Sequence, residues 1–291
     1  MSWTGDGRTT VPAAPASPRY LFSVDVEDVR HMVTGGDGYE PRVPELTIRY
    51  LDWLEARGSR ATFFVVGDVA RAHPDLVREV IRRGHEIACH SDHHIPLDRQ
   101  TPDEFRRDVE SALGALASCG ADRVIGYRAP TCSLTSETQW AHDVLTELGF
   151  TYSSSVLPAR NPLYGWSEFG EQARRLPSGL VEIPITLASF GPLRCPVAAG
   201  VYFRVIPLPL VARAFRSALG KGAVVGYFHP YDIDAEQAHF MHPGLDGSRF
   251  YNWLMYRNRR RLFSRLDRVV AADVTITTYA DHVAGLVDAG V

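Results

Sequence analysis

The sequence predicts an α/β protein: a distorted (β/α) barrel of seven or eight strands, built as a single domain. Short apolar runs alternate with helical stripes from Tyr20 to the C-terminus, which is the pattern of a parallel sheet. The chain has 291 residues, a usual length for one such barrel. The residues best suited to chemistry follow directly after apolar runs. In a barrel all those strand ends open on one face, so residues far apart in sequence converge there.

The elements follow in order. Residues 1–19 are rich in Pro, Ala, Thr and Gly and are expected to be a disordered tail, leaving 20–291 as the barrel. Tyr20 to Val26 is the first strand. Pro44 to Arg57 carries Leu46, Tyr50, Trp53 and Leu54 on one side and ends at Gly58, a helix with a glycine cap. Ala61 to Val66 is β-branched and aromatic, hence a strand. Pro74 to Arg83 opens on proline at the first helical position and closes at Gly84, and Glu86 to Cys89 is a third strand. Thr101-Pro102-Asp103-Glu104 is a capping box that opens a helix striped by Phe105, Val109, Ala112, Leu113 and Leu116. Val124 to Tyr127 is the fourth strand. A helix marked by Trp140, Val144, Leu145 and Leu148 closes at Gly149, and Tyr152 to Ser154 is a fifth strand. Asn161 to Ser178 has no period and reads as a long loop of the kind that shapes substrate sites. Strands are expected at Leu180 to Thr186, Val224 to Phe228 and Val274 to Thr277, with helices at Leu210 to Leu219 and Tyr251 to Val270. Pro230 to Ser248 is an insertion between strand and helix.

Composition narrows the function classes. The apolar fraction of 45% supports a large core. A net charge of -3 marks neither a nucleic acid nor an anionic membrane as partner. Lys221 is the only lysine. Cys89, Cys119, Cys132 and Cys195 form no CxxC pair and read as free thiols of a reducing compartment. No secretory signal and no membrane span is found, so a cytoplasmic location is expected. The oligomeric state leaves no signal.

The chemistry lies in three short strings. His90 and His94 are four residues apart in His90-Ser91-Asp92-His93-His94, an acidic cluster Asp25-Val26-Glu27-Asp28 ends the first strand, and His229-Pro230 follows another apolar run. Two histidines and a carboxylate make a metal site with a position left for water, which hydrolysis requires. A third ligand from Glu27 is favoured by strand parity, which puts 25 and 27 on one face. Asp28, at the turn ending the strand, can swing inward.

Together with Ala61-Thr62-Phe63-Phe64-Val65, Gly84-His85-Glu86-Ile87 and Tyr127-Arg128-Ala129-Pro130, these strings make the chain resemble the metal-dependent polysaccharide deacetylases, a carbohydrate esterase family that includes the nodulation chitooligosaccharide deacetylase. It looks closest to the exopolysaccharide-locus (exosortase-associated) branch. The resemblance spans about Tyr20 to His282. It implies His90 and His94 as metal ligands, Asp25 as catalytic base, Arg128 as the arginine that holds the base, and His229 as general acid. The cofactor implied is a divalent metal, usually Zn2+. Asp is the family's usual third ligand, so the choice leans to Asp28, with Glu27 as the alternative. Two departures stand out. The family's first motif has two adjacent aspartates followed by Gly-Pro, which is absent here. Its fourth motif carries an acidic residue where this chain has Tyr152-Ser153-Ser154-Ser155, so no role is carried onto that string.

The implied activity is removal of N-acetyl groups from an N-acetylated amino sugar, whether polysaccharide, oligosaccharide or sugar conjugate. The alternatives are hydrolysis of a non-sugar or cyclic amide, as in the allantoinase-like relatives of the barrel, and a non-catalytic carbohydrate-binding barrel. Tyr164, Trp166, Tyr202 and Phe203 are expected to lie in loops rather than on a helical stripe and are candidates to stack on sugar rings. Arg257, Arg259, Arg260 and Arg261 read as the solvated face of the last long helix, with contact to an anionic sugar as the sharper reading.

Overall fold

A computed structural model describes residues 18–160, 164–191 and 193–288. Most of the segment set apart as a tail, residues 1–17, lies outside them, as do residues 161–163 of the long loop. Pro18 and Arg19 belong to the sheet: the Pro18 carbonyl accepts from Thr275 N–H, and Arg19 opens the first strand.

The strands are β1 (Arg19–Val26), β2 (Thr62–Val65), β3 (Glu86–Cys89), β4 (Gly126–Tyr127), β5 (Tyr152–Ser153), β6 (Arg174–Arg175), β7 (Val181–Glu182), β8 (Leu187–Phe190), β9 (Leu193–Pro196), β10 (Val224–Phe228) and β11 (Thr275–Ile276). One sheet runs in the order β10-β1-β2-β3-β4-β5-β7-β6, with β11 also beside β1. Every pairing in it is parallel except β6 on β7. The sheet curls until the chain leaving β7 meets β10. There Thr186 N–H donates to the Val225 carbonyl at 3.3 Å and Val225 N–H to Thr186 Oγ1 at 2.8 Å. The result is the expected distorted barrel, with seven parallel strands in sequence around it.

The helices are α1 (Val43–Glu55), α2 (Gly67–Ala72), α3 (Pro74–Arg82), α4 (Pro102–Ser118), α5 (Ala141–Glu147), α6 (Gly200–Val205), α7 (Leu208–Leu219), α8 (Arg249–Tyr256), α9 (Leu262–Val269) and α10 (Tyr279–Asp288). Local chemistry explains their ends. Both halves of the Thr101/Glu104 capping box are made at the start of α4. After α1, Gly58 takes φ +59° while Ser59 N–H reaches back to the Leu54 carbonyl, a Schellman closure. No helix among the described residues is long and apolar enough to cross a membrane.

Strand parity divides β1 between two environments. Tyr20, Phe22, Val24 and Val26 share a cluster with the helix residues Tyr50, Leu54 and Phe215. Leu21 belongs to a second cluster with Phe64, Ala88, Val225 and Tyr279, the barrel interior. Ser23 and Asp25 alternate with the first set and so follow Leu21 inward. The polar groups of the site therefore emerge from the upper end of the interior.

Several expectations need correction. The single helix from Tyr251 to Val270 is two helices, α8 and α9. Asn258 takes φ +60° between them, which a continuing helix does not allow. Arg259 is consequently not on a solvated face. It is buried and bonded to the Asp234 carbonyl, Gln237 and His242. The strand Leu180 to Thr186 is regular only at Val181–Glu182, and the next residues open a β8–β9 hairpin that no hydrophobic period announced. The long loop carries β6 at its end.

Candidate metal and catalytic centre

Glu27, His90 and His94 each offer one ligand atom, and these atoms lie within 4.8 Å of one another. Glu27 Oε2 is 3.6 Å from His90 Nε2 and 2.6 Å from His94 Nε2. Nitrogen and oxygen donors at ordinary zinc distances around a tetrahedral ion stand roughly 3.4 Å apart, so the grouping is close to ligating size. His94 Nε2 is also a buried polar atom with no hydrogen bond of acceptable geometry, despite its closeness to Glu27. An acceptor set with an orphaned imidazole nitrogen fits a cation.

Local structure aims these side chains. His90 follows β3 directly, and its Nδ1 lies 2.8 Å from the Arg128 carbonyl. A carbonyl can only accept, so Nδ1 carries the proton and Nε2 keeps its lone pair for the centre. Ser91 and His94 both take left-handed φ, 64° and 56°, and the Ser91 hydroxyl accepts the His94 N–H at 3.0 Å. This strained turn brings the second imidazole back beside the first, their rings 5.0 Å apart. His93 turns away and bonds Asp68 at 2.8 Å.

Asp28, toward which the third ligand leaned, is engaged by Arg30. Its carboxylate accepts from Arg30 Nε at 2.9 and 3.0 Å and from Arg30 N–H at 3.1 Å, capping the 3-10 turn Val29–Met32. Glu27, two residues beyond Asp25, is the carboxylate that joins the imidazoles. Burial opposes its ionisation, but His94, His229 and His90 outweigh this and hold it well below the usual carboxylate range.

Asp25 and Arg128 meet inside the barrel. Arg128 is fully buried, and its Nη1 donates to Asp25 Oδ1 at 2.6 Å and to Ser23 Oγ at 2.7 Å. Nη2 donates to Tyr279 Oη at 2.7 Å and Ser154 Oγ at 3.1 Å, and Nε to the Ser154 carbonyl at 3.0 Å. The guanidinium lies 4.0 Å above the Phe64 ring. Burial disfavours its charge, yet Asp25 and its other partners raise its pKa.

His229 approaches from β10, its Nε2 3.9 Å from Glu27 Oε1. Its Nδ1 bonds Asp232 Oδ2 at 2.9 Å, and its ring is stacked on Tyr231 at 4.6 Å. Asp232 is fully buried and tied to Arg204 at 2.9 Å. Burial would neutralise His229, but Glu27, Asp232 and Asp25 raise it to about 9. Burial would likewise raise Asp232, but Arg204 and His229 hold it at about 2. The arrangement joins an arginine-held carboxylate, Asp25, and a protonated imidazole, His229, to the same end of the barrel as Glu27, His90 and His94.

The four candidate aromatics do not act together. Phe203 is fully buried on α6 and packs edge-on against Phe228, so it is core rather than groove. Tyr202 is half-buried on the same helix, not in a loop. Trp166 stacks on His142 and meets Phe169 edge-on. Tyr164 donates to Asp98 at 2.9 Å. A cleft of about 150 Å³ beside the centre is lined instead by Glu27, Asp28, Tyr39, Tyr231 and Phe240. A larger cleft, about 960 Å³, lies between β8, α7 and α10 and touches none of the site residues.

Sequence reasoning missed Asp232, Arg204, Ser91, Ser154 and Tyr279. Asp232 could have been found, because His229-Pro230-Tyr231-Asp232 has the spacing of a capping box. Ser154 lies in the string to which no role was carried. Tyr279 and Arg204 have no local signal, since they reach the site only through the fold. His85 accepts the Ala61 N–H at 3.2 Å, and burial pushes it down to about 4.

Residues 25–153 match the family model described as polysaccharide deacetylase, and residues 154–284 match one described as a domain of unknown function (DUF3473). A chitooligosaccharide deacetylase of Sinorhizobium fredii is 35% identical over 104 residues, covering 35% of this chain and 46% of that protein. A peptidoglycan-N-acetylglucosamine deacetylase of Bacillus cereus is 32% identical over 101 residues, covering 34% of this chain and 36% of its own length. The chain thus spans less than half of either relative. A crystal structure from Mycobacterium smegmatis, assigned to the polysaccharide deacetylases, superimposes with a TM-score of 0.62 at 19% identity, covering 96% of this chain and 94% of that one. At that identity it speaks for the fold.

Proposed function

We infer, for a chain that belongs to the polysaccharide deacetylase family, that it is a metal-dependent hydrolase removing the acetyl group from an N-acetylated amino sugar. The observation that carries the reading is the meeting of Glu27, His90 and His94 at the barrel end that also carries an arginine-held Asp25 and an aspartate-held His229.

Glu27, His90 and His94 are the ligands in this reading. A divalent cation held by them, zinc above all, would polarise the acetyl carbonyl and acidify a water at the open position. Asp25 receives the proton of the attacking water, and Arg128 keeps its carboxylate aimed. The water oxygen bonds to the amide carbon. The carbon–nitrogen bond then breaks as His229 Nε2 donates its proton to the departing nitrogen, which leaves acetate and a free amine. Tyr231 fixes the plane of the His229 ring and Asp232 its tautomer, so the donating nitrogen faces the centre.

The four cysteines are all unpaired, which supports a cytoplasmic location. There the substrate is a biosynthetic sugar conjugate rather than finished wall polymer.

Acetate release from N-acetylglucosaminyl conjugates, followed with metal content, tests the reading. Chelation abolishes release, and added zinc restores it. Glu27→Ala loses bound metal together with activity, whereas Asp28→Asn retains its metal. Full activity after complete chelation rejects the metal-dependent reading, and metal loss in Asp28→Asn alone rejects the ligand set.

A further inference from the structure

The helix α8 is built inside out. Its inward contacts are polar: Asn252 Nδ2 donates to the Phe240 carbonyl at 3.0 Å and Asn252 Oδ1 accepts the His242 N–H at 3.0 Å, while Tyr256 Oη accepts the Phe240 N–H at 3.1 Å. Residues 252 and 256 are one turn apart and share that face. The other face carries Phe250 and Trp253, with Tyr251 beside them, at 63%, 52% and 58% exposure, and α8 has no buried residue. Met241 adds another exposed apolar side chain at 39%. A surface helix normally turns its aromatics inward, and a cluster left in water marks an interaction site.

Charge identifies the occupant. Residues 241–261 contain five arginines against a single acid, Asp246, in a chain whose net charge is -3. Arg249, Arg257, Arg260 and Arg261 are exposed, and none has an ion-pair partner among the described residues. The whole-chain charge hides this local excess. The rings are poorly disposed for sugar stacking, which needs a bare face. Phe250 packs on Trp253 at 6.1 Å and on Tyr251 at 5.6 Å, and the Arg257 guanidinium covers Trp253 at 5.1 Å. Aromatics that insert as a group, flanked by arginines, suit the boundary between acyl chains and anionic headgroups.

The helix adjoins the catalytic mouth. Tyr256, its last residue, lies 4.3 Å under Arg259, which covers Tyr231 at 5.8 Å, and Tyr231 stacks on His229. We propose that α8 and the arginine turn after it dock on an anionic lipid bilayer and hold the catalytic mouth at that surface. On the deacetylase reading, the sugar conjugate is then one carried by a membrane lipid.

The full chain is mixed with vesicles of phosphatidylcholine alone or with phosphatidylglycerol and pelleted. It pellets with the anionic vesicles, less so as salt rises, and lipids brominated along the acyl chain quench its tryptophan fluorescence. Arg249→Gln with Arg257→Gln weakens partitioning on the order of tenfold. Phe250→Ser with Trp253→Ser abolishes pelleting, and both pairs leave acetate release from a soluble N-acetylglucosamine oligomer unchanged. Failure of the unaltered chain to bind anionic vesicles at low salt overturns the proposal without touching the deacetylase reading. It is overturned equally if the aromatic pair pellets normally but loses turnover of the soluble oligomer, which would make the cluster a glycan platform. Because the arginine pair is exposed and makes no buried contact, it carries the test should the aromatic pair fail to fold.

Discussion

Asp232 decides what His229 can do. A general acid works below its pKa and fails as pH rises through it, and His229 is raised to about 9 with Asp232 among the causes. A rate profile that falls at alkaline pH is expected, its alkaline limb set by His229 at or below that value, because a cation at Glu27 would weaken one of the raising charges. Asp232→Asn removes another, so the alkaline limb moves to lower pH by roughly one unit or more. His229→Ala loses that limb and costs about 10²–10⁴ in kcat. Asp25→Asn loses activity across the whole pH range instead. The pH dependence of kcat for the three variants checks this, and an alkaline limb unmoved in Asp232→Asn removes that residue from the mechanism.

At the level of elements, α6 and α8 show how residue type alone misleads. Both carry aromatics, but Phe203 on α6 is fully buried and the aromatics on α8 are not. Phe203→Ala should therefore cost about 3–5 kcal/mol of stability, as a core truncation does. A soluble variant would retain its KM for a short sugar substrate, because the ring does not line the site. Chemical denaturation alongside steady-state kinetics separates the two effects, and a raised KM with unchanged stability would return Phe203 to the groove. At the start of α4, the completed capping box makes Thr101→Ala worth about 1 kcal/mol, read from the same denaturation curves.

The two matched family regions, 25–153 and 154–284, do not correspond to two folding units. β1 and β10 pair along five residues across the boundary, from Tyr20↔Val224 to Val24↔Phe228. Arg128 takes Ser154 and Tyr279 from the second region to hold Asp25 of the first. Glu27, His90 and His94 lie in the first region and the bonded pair His229 and Asp232 in the second. The chain should unfold in one transition by both tryptophan fluorescence and far-ultraviolet circular dichroism. A fragment ending at residue 153 exposes one edge of β1 and leaves a buried guanidinium short of partners, so it should lack cooperative unfolding. Two separated transitions in the whole chain would contradict this.

Much of this protein is legible in the residues alone. Period and punctuation place β1, β2, β3, β10 and helices α1, α3, α4 and α7 within a few residues, because each has a strong stripe, a cap or a glycine stop. The same holds for His90, His94, Asp25, Arg128 and His229, which sit at strand ends that a barrel must bring together. What remained depended on distance through space. Only the curled sheet brings Glu27 against His90 and His94, while Arg30 takes Asp28. Asn258, whose left-handed backbone separates α8 from α9, and Arg204 and Tyr279, distant in sequence from the groups they hold, acquire their parts from tertiary packing, which local periodicity does not encode.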